Sequence, residues 1–184
     1  MKKWKQFVLG VVFTAFVVSL AIGEVYAQSP DLNQWVGKWF NGKSTTKGIS
    51  FGDSKFSNIR KVDNFFLKIW NWDSTAEKLN FDVYTFDKGE QKWNVGTHTF
   101  HFLAGTDIKF LCWLQEPEEN SLTVLAVVID GKLKNDVLHV AKMTTLGGVL
   151  LDAGDSDETA GSFTVSGQMT DRSRVPVPEN VILH

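Results

Sequence analysis

Two histidines, His98 and His101, lie within Thr97-His98-Thr99-Phe100-His101-Phe102. A pair of imidazoles can hold a metal ion or pass a proton, provided that both rings reach one place. The surrounding residues read as a strand, where a spacing of three sends the two rings to opposite faces. One ring is therefore expected inside and one outside, and the inward one, taken as His98, can orient a ligand by hydrogen bonding. His139 is a lone imidazole, and His184 sits at the tail.

Asp152, Asp155, Asp157 and Glu158 only loosely match the spacing of calcium ligands. They lack the glycine such a loop needs at its turn, so they read as a solvated loop. Glu116, Glu118 and Glu119 read as a charged turn that keeps the flanking strands from pairing outside. No metal site is expected. The single Cys112 lies in Ile108-Lys109-Phe110-Leu111-Cys112-Trp113-Leu114 and reads as a small buried hydrophobe. The sequence has no Gly-Lys-Ser/Thr phosphate loop, no Gly-x-Ser-x-Gly elbow and no Cys/His cluster, so no catalytic residue and no cofactor is assigned.

The aromatic content is 12%, with seven Trp and fourteen Phe against two Tyr. Indoles on that scale supply either a thick core or flat surfaces for an apolar ligand. Trp70 and Trp72, two apart on one strand, are expected to share a face, with Trp93 and Trp113 on nearby strands. With His98, these four form the candidate ligand-binding set.

The elements that position these residues begin after residue 27. Lys2, Lys3 and Lys5 precede an uncharged apolar run from Phe7 to Ile22, and Val25-Tyr26-Ala27 offers small residues at a cleavage site. Residues 1–27 are therefore expected to be a signal peptide, with residues 28–184 one domain that is periplasmic or secreted. No membrane span is expected after cleavage. Removing Lys2, Lys3, Lys5 and Glu24 moves the formal net charge from −2 to −4. With no basic cluster, nucleic acid is an unsuitable partner.

The remainder reads as strands separated by turns. The clearest alternation is Leu79, Phe81 and Val83 against Lys78, Asn80 and Asp82. Hairpin turns are expected at Asp87-Lys88-Gly89-Glu90 and at Asp130-Gly131. Gly147 to Gly161 reads as a loose acidic stretch, and a proline-broken tail closes the chain. The count is about eight strands, with no helical periodicity beyond one turn. The fold class expected is all-β: an eight-stranded antiparallel up-and-down barrel, whose closure removes the sheet edges.

Gly37-Lys38-Trp39, after a short turn and at the start of the first strand, resembles the lipocalins and their wider calycin relatives. That resemblance implies a barrel with Trp39 lying across its end as an apolar lid. It also implies an arginine after the last strand packed on that ring: Arg172, with Arg174 as second choice. The function implied is binding of a small hydrophobic or aromatic molecule in the barrel. A filled barrel that binds a protein at its mouth, as an inhibitor for example, stays open as the alternative. A cavity enzyme using His98 or His101 is the remaining one. The Thr-Asp-Tyr-like signature of the family is absent, Val128-Ile129-Asp130-Gly131 supplying only the Asp, and so is the helix usually found after the last strand.

Overall fold

The structure is a computed structural model and describes residues 30–52, 55–154 and 157–184, with residue 157 described by its backbone alone. The expected signal peptide lies outside the described residues. Eight antiparallel strands follow one another up and down: β1 (Trp39–Gly52), β2 (Lys55–Asp73), β3 (Lys78–Asp87), β4 (Lys92–Gly105), β5 (Lys109–Pro117), β6 (Ser121–Lys134), β7 (Val137–Ala153) and β8 (Asp157–Thr170). Each pairs with the next, and β8 pairs with β1, closing the ring.

Alternation decides what fills the ring. Phe40, Phe65, Leu67, Phe81, Phe100 and Phe110 face inward with Leu125, Val127 and Ile129, all buried in one contiguous core. One end is stopped by Leu32 and Trp35, both 0% exposed, from the short 3-10 turn Asn33–Trp35. Trp35 stacks near Phe40, meets Phe110 edge-on at 5.3 Å, and donates its indole N–H to the Asp107 carbonyl at 2.7 Å.

Two expectations about turns are corrected. The chain does not reverse at Asp130-Gly131. β6 runs through to Lys134, and the turn falls at Asn135 and Asp136, both with positive φ. Asn and Asp tolerate that conformation, so the pair makes the tight hairpin without glycine. Gly131 serves the plug instead: a Cβ there would stand 3.0 Å from Trp35 Cη2 and 2.8 Å from Leu138 Cδ1. Within the acidic stretch, residues 147–153 and 157–161 are strand and not loop. They form the distal halves of β7 and β8, paired from Val149↔Ser162 to Ala153↔Glu158.

Pairing is not uniform around the ring. β2 meets β3 only from Phe66↔Tyr84 to Asp73↔Lys78, and β4 meets β5 only from His101↔Trp113 to Gly105↔Phe110. At the end opposite Trp35 the ring thus parts into two leaves. The larger runs β5–β6–β7–β8–β1–β2, and the smaller is the β3–β4 hairpin.

Cys112 is 0% exposed, and burial pushes its thiol above the ordinary range. A disulfide-exchange reagent is therefore expected to leave the native thiol unmodified and to label it only at the rate of global unfolding. Labelling faster than unfolding would show that the core opens locally around β5.

Candidate functional site

The five candidate ligand-binding residues are not brought together. A bulge between Ile69 and Asn71 shifts the β2–β3 register by one residue. It breaks the alternation on which a shared face for Trp70 and Trp72 depended. Trp72 turns into the core beside Phe102, while Trp70 stays outside and stacks on His184 at 4.0 Å. Trp93 lies outside against Phe66 and Phe86. Trp113, neighbour of inward Cys112, also faces outward, 5.4 Å from His101. Only His98 and Trp72 face the interior. Among the described residues, three open grooves of about 630, 550 and 480 Å³ are found, and none of the five residues lines them.

His98 faces Phe81 at 5.6 Å and its Nδ1 hydrogen-bonds Glu116 Oε1. His98 lies on β4 and Glu116 on β5, beyond the last backbone pair between those strands. Their contact therefore spans the split between the leaves. A His–carboxylate pair holds a proton in place, but no nucleophile stands within its recorded contacts. Among the described residues no group of three or more His, Cys, Asp and Glu could hold a metal ion.

Trp39 does not lie across the barrel end. Its neighbour Phe40 takes the inward position, so Trp39 points outward and is buried in a second cluster with Tyr84, Val175 and Val177. The indole at the barrel end is Trp35. Gly37 precedes Trp39 with φ of +82°, which glycine adopts without strain, and its N–H donates to the Ile69 carbonyl at 2.7 Å. The Arg172 guanidinium lies 5.4 Å from the Trp39 ring centroid. It donates to the Val175 and Val177 carbonyls and to Glu179 Oε1. One cation thus covers an indole and holds the chain end against the sheet.

Residues 171–184 cross the outside of β1–β4 as a strap. Prolines at 176 and 178 alternate with the buried Val175 and Val177, so the segment lies extended without adding a strand. Beneath it is Asp82, 0% exposed. Asp82 accepts from Thr97 Oγ1 at 2.8 Å, from Tyr84 OH at 3.1 Å and from His184 Nδ1 at 2.9 Å. The sequence showed Asp82 merely as an outward polar residue. The one available signal was the outward aromatic company of Trp39, Phe66, Tyr84 and Trp93, too apolar to face water.

Burial, more than the nearby Asp82 charge, pushes the Tyr84 phenol up to about 12, against a lowering effect of the Leu183 N–H. The folded value lies above the unfolded one. The protonated phenol therefore stabilises the fold fully below pH of about 10, and that contribution is lost as pH rises through about 12. Tyr84→Phe should flatten the alkaline limb of stability between those values by about 1–2 kcal/mol. Urea melts at stepped pH will measure it. An unchanged limb would place the phenol in water.

Comparisons with protein-family models, with curated proteins and with solved structures find no match to this chain. What is established is an all-β chain of eight antiparallel strands closed into a ring. No helix among the described residues is long and apolar enough to cross a membrane.

Proposed function

We propose that this chain is an exported, lipocalin-like barrel that acts as an interaction module through its outer surface. The observation that carries the reading is the inner column of Phe40, Phe65, Phe81, Phe100 and Phe110, which occupies the volume a carried ligand would need. Gly37, Trp39 and Arg172 support the lipocalin-like relation, since the arginine after the last strand covers the indole that opens the first. Carriage of a small hydrophobic molecule is the second reading. It is favoured by the split between β4 and β5, where His98 and Glu116 stand in place of backbone pairing.

Titration of the purified protein with fatty acids and aromatic dyes, followed by tryptophan fluorescence and by NMR of the Phe side chains, separates the two. The expected result is no saturable one-to-one complex and no shift at Phe81 or Phe100. A stoichiometric complex that moves those resonances would replace the first reading by the second.

A further inference from the structure

The outer face of the larger leaf carries an apolar row at right angles to its strands. Pairing sets Ile49 beside Ala160, Ala160 beside Leu151, Leu151 beside Leu122, and Leu122 beside Pro117. All five point outward. Phe40 on β1, Val165 on β8, Leu125 on β6 and Leu114 on β5 take the inward positions of the same strands. On β7 the opposing residue Gly148 pairs with inward Leu125, which leaves Leu151 outside.

Phe51 and Phe56 stand next to this row, edge to face at 4.9 Å, and Phe56 is 78% exposed. Beyond Phe51 the face sinks into a groove of about 480 Å³, lined among others by Leu122, Leu151, Ala160, Glu118 and Glu119. An apolar band beside a groove, with a bare phenylalanine at its border, is a surface short of a partner.

The charges say which partner. Lys43, Lys47 and Arg60 project from the β1–β2 side, and no described outward residue of β1 or β2 between 43 and 64 is a carboxylate. The opposite flank carries Glu118 and Glu119. A face that is basic on one flank, acidic on the other and apolar between them is complementary to itself. A two-fold axis parallel to the strands sets the basic flank of one molecule on the acidic flank of another. An anionic lipid surface fits less well, because Glu118, Glu119 and Glu158 border the same band.

We infer that the outer face of the larger leaf is a homodimer interface, with Phe56 of each copy seated in the Leu122–Leu151 groove of the other. This rests on the reading that the outer surface, and not the interior, does the protein's work. Six strands at about 4.8 Å spacing and four outward positions per strand cover on the order of 500 Å² of flat area. That is toward the lower end for a specific dimer, so association is expected to depend on concentration.

Sedimentation velocity on the purified protein tests the inference. Dimer is expected at about 100 µM and monomer on hundredfold dilution. Leu151→Glu should leave a folded monomer at every concentration, since Leu151 is partly exposed and outside the core. Arg60→Glu should weaken association about tenfold, the paired Glu118→Lys and Glu119→Lys change should do the same, and all three together should restore most of it. A monomer at the highest concentration overturns the inference, and so does a dimer indifferent to Leu151→Glu or charge reversals whose effects only add. Capture by phosphatidylglycerol vesicles without dimerisation would overturn it in favour of a lipid surface. The ligand titration, repeated on Leu151→Glu, reports separately on the interior. Failure there removes the module reading, whereas a monomer that binds no ligand removes only the dimer.

Discussion

Trp35→Ala should lower the unfolding free energy by about 3–5 kcal/mol, among the largest effects of any single truncation in this chain. The side chain is 0% exposed and closes one end of the core, with Phe40 and Phe110 on its ring and Leu138 beside it through the space left at Gly131. Truncation removes a large apolar area and leaves a void bounded by β-strands that cannot all collapse inward. It also removes one of the two donors to the Asp107 carbonyl, leaving only the Gln34 amide at 2.9 Å. Trp35→Phe separates the two losses. It keeps most of the ring area and should cost about 1–2 kcal/mol for the missing hydrogen bond and the poorer fit. Urea denaturation of both variants measures the pair. A loss below about 1 kcal/mol for the alanine variant would mean that Leu32 alone closes the end.

The order of strands could be read from the sequence wherever apolar and polar residues alternate. Leu79, Phe81 and Val83 define β3 because their partners Asn80 and Asp82 are polar, and Asp87 marks the following turn by accepting from the N–H groups of Gly89 and Glu90. Such signals are local. Non-local ones were hidden. The bulge that separates Trp70 from Trp72 exists only in the register between β2 and β3, and nothing within β2 announces it. Gly131 misled for a related reason. Glycine serves equally in a turn and where a neighbouring side chain needs its space, and Trp35, almost a hundred residues earlier, decides between the two. The strap was the largest omission. Val175 and Val177, alternating with Pro176 and Pro178, give no helical or strand period, so their burial depends wholly on the aromatic face they cover. Trp39 shows both sides of this. Its proximity to Arg172 followed from a resemblance, but its direction followed from Phe40 taking the inward place.

Asp82 tests how far that strap is part of the fold. Asp82→Ala should cost about 2–3 kcal/mol, because three donors lose an acceptor that is itself 0% exposed, and the Tyr84 hydroxyl among them is fully buried. Thr97 reaches Asp82 across the β3–β4 pairing, whereas Tyr84 and His184 link it to the chain end. The damage should therefore be directional. Amide exchange should rise most over residues 175–184, where Leu183 N–H donates to Tyr84 OH and His184 lies on Trp70. Asp82→Asn keeps one acceptor oxygen but turns an NH2 group toward donors, so its cost should fall to about 1–2 kcal/mol. A double-mutant cycle of Asp82→Ala with His184→Ala isolates the strap's share. If the strap is held through this contact, the second change should add little once the first is made. Fully additive losses, with exchange in the strap unaltered, would show that Arg172 and the buried valines hold the segment without Asp82.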